Sequence, residues 1–342
     1  MSQPQKTAIV LVNLGTPAEP TASSVRAFLA EFLADQRVIE GKGPRRWLWL
    51  AVLHGIVLRL RPKKVAKLYA EIWQTDSPMR MILQAQTEAL QSKLNSTYQN
   101  APTVYSAMTY GEPNLTKLLQ KVHKDGISNV YIMPLFPQYS ATSTGPVYDA
   151  VANFQKNARN VLDIRILKNY CEHEKYIEGL VATIKDHWQA HPPAEKLLFS
   201  YHGIPQQYAD DGDPYPKQCF KTTELVKACL EREGLSANSE LISSFQSRFG
   251  FTKWVEPYTD DTLEAFAKEG VKSIDVICPA FSADCLETLE EIAQTNKALF
   301  TENGGDTYRY IPALNDHPLF IEALFDIAQQ QVPDWLGDKN GH

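Results

Sequence analysis

Eight short apolar runs, each followed by a turn, constrain this chain of 342 residues more than any other feature. Four lie in the first half, at 6–14, 102–108, 129–135 and 161–167, and four in the second, at 196–201, 240–245, 273–278 and 307–311. Short runs dominated by apolar and β-branched residues suit strands covered on both faces, because a strand with one wet face would alternate. Between them the spacing turns helical: Val25, Phe28, Leu29, Phe32 and Leu33 fall at i, i+3, i+4, i+7 and i+8, and Pro78 stands at a first helical position. Further helices are predicted near 114–122, 146–156, 174–188, 219–231, 260–268, 285–298 and 319–331. Strands alternating with helices read as parallel βαβ units, and the length suits two domains. The prediction is two doubly wound α/β domains, 1–168 and 169–315, each built on a four-stranded parallel sheet, with 316–342 a helix and tail packing back on the first.

Composition removes several function classes. With 34 basic against 40 acidic residues the formal charge is −6, so the basic excess that neutralises a nucleic-acid backbone is missing. The five cysteines, Cys171, Cys219, Cys229, Cys278 and Cys285, form no C-x-x-C pair; a structural zinc, an iron-sulfur cluster or a disulfide framework has no support, and a reducing compartment fits. The polar start MSQPQK lacks the apolar stretch of a secretory signal, and the expected location is the cytoplasm. One segment qualifies this. Residues 47–58 (WLWLAVLHGIVL) are nearly all apolar between Arg45, Arg46 and Arg59, Arg61, Lys63, Lys64, too short for the ~18 residues of a spanning helix. Two readings stay open: a helix buried in the fold or at the mouth of a pocket, and a helix resting on the inner face of the membrane.

Open parallel sheets bind ligands beyond the carboxyl ends of their strands, so the residues just after each run are the ones to inspect. In the first half these are Leu14, Gly15 and Thr16, then Tyr110, then the hydroxyl-rich loop with Tyr139, Ser140, Thr142 and Ser143 that opens a helix. Such a helix start suits a phosphate or carboxylate, although ordinary capping explains the hydroxyls equally well, and no G-x-G-x-x-G or Walker sequence is present. In the second half His202-Gly203-Ile204-Pro205 follows one strand, Gln246-Ser247-Arg248-Phe249-Gly250 and then Trp254 follow another, and Asp284 precedes a helix after the third. A histidine there can accept a proton or hold a metal. At 100° per residue Asp284, Glu287 and Glu291 fall within about 60° of one another. That line reads either as carboxylates able to carry protons or a hard cation, or as the wet face of an amphipathic helix.

The segments 12–17 (VNLGTP), 137–140 (PQYS), 200–205 (SYHGIP), 245–250 (FQSRFG) and 281–291 (FSADCLETLEE), in this order, resemble the ferrochelatase family, and the resemblance runs nearly end to end. It implies insertion of Fe2+ into protoporphyrin IX, giving protohaem and two protons at the last step of haem biosynthesis, in a cleft between two Rossmann-like domains of chelatase type. His202 matches the histidine assigned to metal binding or proton abstraction, and Glu287 the glutamate facing it across the macrocycle; both are candidate metal ligands. Glu291 and Asp284 match acidic positions proposed to conduct protons or metal. Leu14, Thr16, Tyr110, Tyr139, Ser140, Gln246, Ser247 and Trp254 match positions around the porphyrin. A flat macrocycle with two pyrrole N–H groups needs a base, a route for protons and a rigid apolar grip that bends it. No resident cofactor is implied, iron being a substrate. Cysteine is absent beyond Cys285, so the iron-sulfur cluster of animal members is not expected; Cys285 itself stands where many members carry a second histidine. Leu14 replaces the tyrosine of coproporphyrin-using relatives and favours protoporphyrin. A chelatase for another metal or porphyrin, and a non-catalytic tetrapyrrole- or metal-binding protein, are the alternatives.

Overall fold

All eight predicted strands form, in a computed structural model that describes residues 6–235, 239–250 and 252–340. The polar start at 1–5 and the last two residues lie outside the described residues. The strands are β1 (Thr7–Gly15), β2 (Thr103–Tyr110), β3 (Asn129–Pro134) and β4 (Asp163–Ile166), then β5 (Lys196–His202), β6 (Glu240–Gln246), β7 (Ser273–Ile277) and β8 (Thr307–Ile311). They build two four-stranded sheets, ordered β2-β1-β3-β4 and β6-β5-β7-β8, and every pairing is parallel. The same order occurs twice, with the first strand of each half in the interior. Ala8 to Val12 on β1 and Leu197 to Phe199 on β5 are accordingly fully buried. Each Val, Leu, Ile or Phe side chain among them contributes about 1.5–3 kcal/mol by leaving water, which is why these runs carry no polar alternation.

By contact density the chain divides into two compact units. One comprises Met1–Phe136, Ser140–Lys168 and Leu324–His342; the other comprises Pro137–Tyr139 and Asn169–Ala323. In the first, the helices at Leu115–Lys124 and Thr144–Asn157 cover one sheet face around Val10, Val12, Val130 and Ile132. The last helix, Pro318–Gln331, joins this unit from Leu324 onward, where Phe325 packs on Tyr98 and Gln329 donates to the Tyr98 hydroxyl at 2.8 Å. In the second, Ile274, Val276, Ile292 and Phe300 form the core beside Leu198.

Two helical segments differ from their predicted form. The apolar run 47–58 is no isolated helix but the middle of a helical stretch: Pro44–Val52, a π turn at Leu53–Val57 and a helix Leu58–Ile72. Leu53 and Leu58 are buried against Leu33, whereas Trp47, Leu48, Ile56 and Leu60 are 74, 67, 53 and 72% exposed. The reading of a fully buried helix therefore fails: only one stripe finds a partner. The second segment, predicted as an α-helix at 285–298, is a π-helix over Glu287–Asn296 that continues as an α-helix Lys297–Glu302. Asp284 precedes it and is not on its surface, so the line of three carboxylates counted at 100° per residue does not exist as drawn.

Candidate active site

The groups with chemistry collect at the carboxyl ends of β5 and β6 and on the π-helix. His202 is the last residue of β5, half-buried, with its Nδ1 at 2.7 Å from the Gly203 carbonyl oxygen. A carbonyl only accepts, so Nδ1 carries the proton and Nε2 of the neutral ring presents a lone pair. The turn that holds this ring is tight. The Gly203 N–H donates to the Gln246 carbonyl at 2.9 Å, and a Cβ on Gly203 would meet that oxygen at 2.9 Å and the Trp254 ring at 3.1 Å. Glycine is required by this close approach. Trp254 is buried, its indole N–H donating to the Phe249 carbonyl at 3.0 Å.

Gln246 and Ser247 reach from the end of β6 to the π-helix. Gln246 Nε2 donates to the Glu287 carbonyl at 3.0 Å, and Ser247 Oγ donates to Glu291 Oε2 at 2.6 Å. Ser247 has φ +67°, a left-handed conformation that costs a β-carbon residue about 1 kcal/mol and persists here where its hydroxyl meets the carboxylate. Burial pushes the Glu291 carboxyl above its ordinary pKa; the Ser247 hydrogen bond and, when its ring is protonated, His202 pull it back, and the Glu287 charge pushes it further up. Glu291 thus sits within electrostatic reach of both His202 and Glu287. Cys285 is buried, and burial together with the Glu287 carboxylate drives its thiol well above the usual range, so it is a packed, protonated thiol.

Asp284 is placed differently. Its Oδ1 accepts from the Tyr310 hydroxyl at 2.6 Å and the Thr288 hydroxyl at 2.9 Å, and its Oδ2 accepts from Asn315 Nδ2 at 2.8 Å. The carboxylate is buried and its oxygens are engaged, which ties the start of the π-helix to β8 and the loop after it. Tyr308, Tyr310 and Asn315 were not singled out from the sequence. The signal was present in TYRYI, where tyrosines two apart in a strand must share a face, but nothing local says what that face meets.

The predicted positions of the other unit lie at strand ends as the topology requires, with their side chains largely committed. Thr16 is buried with its hydroxyl 2.8 Å from Ser77 Oγ. Tyr110 is buried, stacks edge-on with Phe32 and donates to Asp35 Oδ2 at 2.9 Å. Ser140 is buried at the helix start, its Oγ 2.9 Å from Thr142 Oγ1. The carbonyl of Ser140 takes the N–H groups of Ser143, Thr144 and Gly145, so that helix start is capped by its own backbone. Leu14 stays half-buried. Tyr139, which belongs to the second unit, is half-buried too, its N–H donating to Gln218 Oε1 at 2.7 Å. Among the described residues no group of three or more His, Cys, Asp or Glu side chains is gathered to hold a metal ion.

A conserved-family model described as Ferrochelatase matches residues 6–332. The chain belongs to the ferrochelatase family. A ferrochelatase of Psychrobacter arcticus is 47% identical over 341 residues, covering 99% of this chain and 98% of that one. One from Acinetobacter baylyi is 49% identical over 328 residues, covering 96% and 94%. Among solved structures, SirB from Bacillus subtilis with Fe3+ superposes with a TM-score of 0.55 at 12% identity, covering 98% of this chain and all of that one, a likeness of fold. Ferrochelatases are lyases that place Fe2+ in protoporphyrin and release two protons, and the chain has that reaction by family.

Proposed function

We propose that His202, Glu287 and Glu291 perform the metallation. Two pyrrole protons must leave before a dication can sit among four nitrogens, so the site needs two acceptors of different reach. The observation that carries this reading is His202, with Nδ1 engaged by the Gly203 carbonyl, within electrostatic reach of a buried carboxylate whose pKa is raised. The neutral imidazole takes a proton from the ring or meets the incoming iron. Glu287 is the facing carboxylate, and Glu291, moved toward neutrality by burial, accepts a proton more readily than a solvated glutamate. Both His202 and Glu287 suit Fe2+ as it passes, since imidazole and carboxylate are ligands this ion accepts.

Asp284 enters as the anchor of the helix that carries Glu287 and Glu291, because four donors already fill its oxygens, including the Ala313 N–H at 3.4 Å. In the first unit Leu14 would meet the ring, with the engaged side chains of Thr16, Tyr110 and Ser140 supporting that strand-end surface; in the second, Tyr139, Ser247 and Trp254 would meet or back it, with Gln246 engaged behind them. The substrate is protoporphyrin IX, with Leu14 leaving an apolar surface. In this reading the chain carries no iron-sulfur cluster, as its five cysteines form no C-x-x-C pair. Contact with the inner face of a membrane is part of the same proposal, and it rests on exposed Trp47, Leu48, Ile56 and Leu60 beside the cations Arg59, Arg61, Lys63 and Lys64.

Anaerobic incubation with protoporphyrin IX and Fe2+, followed by the porphyrin absorption bands, should convert the free-base pattern to that of haem, and coproporphyrin should react more slowly. His202→Ala should lose about 10²- to 10⁴-fold in rate while still binding porphyrin. Unchanged bands with folded wild-type protein would overturn the activity, and a near-normal rate in the variant would overturn the role of His202.

A further inference from the structure

Ser247 sits in a left-handed turn at φ +67° with its hydroxyl 2.6 Å from Glu291, and such a conformation in a residue with a β-carbon persists only where its surroundings over-determine it. The neighbour that does so is Arg248. Its Nη1 and Nη2 donate to Asp261 Oδ2 at 3.0 Å and Oδ1 at 2.5 Å, a two-pronged contact, and Nη2 donates also to Asp260 Oδ2 at 2.9 Å. The guanidinium lies over the Tyr258 ring, 4.2 Å from its centroid. A planar fork can grip a carboxylate twice and stack on an aromatic face at once, which an ammonium cannot.

The base of this clamp is fixed without it. Asp260 and Asp261 stand in the first turn of the helix Thr259–Lys268, where the helix dipole already favours carboxylates. The buried Thr259 hydroxyl lies 2.8 Å from Ser244 Oγ and 2.9 Å from Ser200 Oγ, and the Phe245 N–H donates to the Pro257 carbonyl at 2.8 Å. On the other side the Phe249 carbonyl accepts from the Trp254 indole at 3.0 Å, and Trp254 is held by the Tyr258 hydroxyl, which donates to its carbonyl at 3.2 Å. The turn 247–249 is thus tied to this base by one side chain and one carbonyl. The ion pair is partly exposed and adds little net stability, so its consequence is where residue 247 points.

We propose that Arg248 is a positioning residue for metallation: gripping Asp260 and Asp261 and stacked on Tyr258, it holds Ser247 in the left-handed turn that keeps the hydroxyl on Glu291. The inference rests on the proposal above that Glu291 accepts a proton during metallation. Arg248 needs to touch neither porphyrin nor iron for this role, and every contact it makes here lies within the second unit.

Arg248→Gln removes the fork and the charge. Quenching of protoporphyrin fluorescence counts the competent sites and gives Kd, and anaerobic mixing of the bound complex with Fe2+ gives the metallation rate per bound porphyrin. At a pH on the acid limb of the wild-type profile, Ser247→Ala should lower this rate about tenfold, since the charged form of Glu291 loses one hydrogen bond. Arg248→Gln is expected to lose about as much, with Kd within twofold of wild type, and the double variant no more than Ser247→Ala alone. A wild-type rate in Arg248→Gln, even with a lowered melting temperature, would overturn the inference. Losses that multiply in the double variant would overturn it too, because Arg248 would then act by its charge and not through the Ser247 hydroxyl. If Arg248→Gln binds no porphyrin, Asp260→Asn with Asp261→Asn opens the clamp from its far end; the same tenfold loss is expected, and a wild-type rate or a second loss of binding overturns the proposal. Ser247→Ala separates the two levels. A normal rate there removes Glu291 from the proton path and the inference with it, whereas a slow Ser247→Ala beside a normal Arg248→Gln overturns the inference alone.

Discussion

At the scale of single residues, the Glu291 carboxylate and the Ser247 hydroxyl have the most direct consequence for rate against pH. Burial raises the Glu291 pKa and the Ser247 hydrogen bond opposes it by favouring the charged form. In Ser247→Ala that opposition is gone, the pKa rises further, and at a given acidic pH less of the carboxylate is available to take a proton. The acid limb of the kcat profile should therefore move to higher pH by about one unit, the worth of one hydrogen bond to a charged group. A limb that stays in place or moves to lower pH would remove Glu291 from the proton path. His202 and Glu287 were legible in the sequence because each sits at a strand end or helix start within a distinctive motif. Tyr308 was not, since a tyrosine in a short strand looks the same whether it fills a core or, as here, holds the Ile292 carbonyl.

At the scale of elements, β7 and β8 hold the second sheet together at a point far less legible than its apolar strands. Asp275, in the middle of SIDVI, is fully buried. It accepts from Arg309 Nε at 2.7 Å, Trp188 Nε1 at 2.9 Å and the Ala194 N–H at 3.2 Å, with His187 Nε2 at 3.1 Å. Burial acts to raise its pKa, but the hydrogen bonds from His187, Arg309 and Trp188 outweigh it and hold the carboxyl below its ordinary value. A carboxyl whose folded pKa is depressed stabilises the fold above its unfolded pKa and loses that contribution as pH falls through the folded one. Asp275→Asn should thus be about 2–3 kcal/mol less stable at pH 7 by thermal or denaturant unfolding. The gap to wild type should close only below about pH 4, where the unfolded chain's aspartate protonates. A gap that is absent at neutral pH would show that the cluster adds no net stability. In the next connection three side-chain donors make Asp284 a fixed point for the start of the π-helix.

At the scale of the whole molecule, the feature with most consequence is the exposed apolar stripe of the Pro44–Ile72 region. No described helix is long and apolar enough to cross a membrane. Trp47, Leu48 and Leu60 are nonetheless more exposed than large apolar side chains usually are, and basic residues border them. Flotation with vesicles containing anionic lipid should carry the protein upward, less so at high salt, and Trp47→Ala with Leu48→Ala and Leu60→Ala should reduce the floated fraction severalfold. Equal flotation of the triple variant would set the membrane contact aside. The sequence by itself determined the eight strands, their division into two sets of four and the positions of His202 and Glu287. Burial on both faces writes itself into short apolar runs, and ligand sites in such sheets follow strand ends. Only the tertiary structure decided that 287–296 winds as a π-helix, that Asp284 is an occupied anchor, and that half of the 47–58 run faces outward. Each of these depends on donors, carbonyls or packing partners brought from distant parts of the chain, and a periodicity counted along one segment carries no record of them.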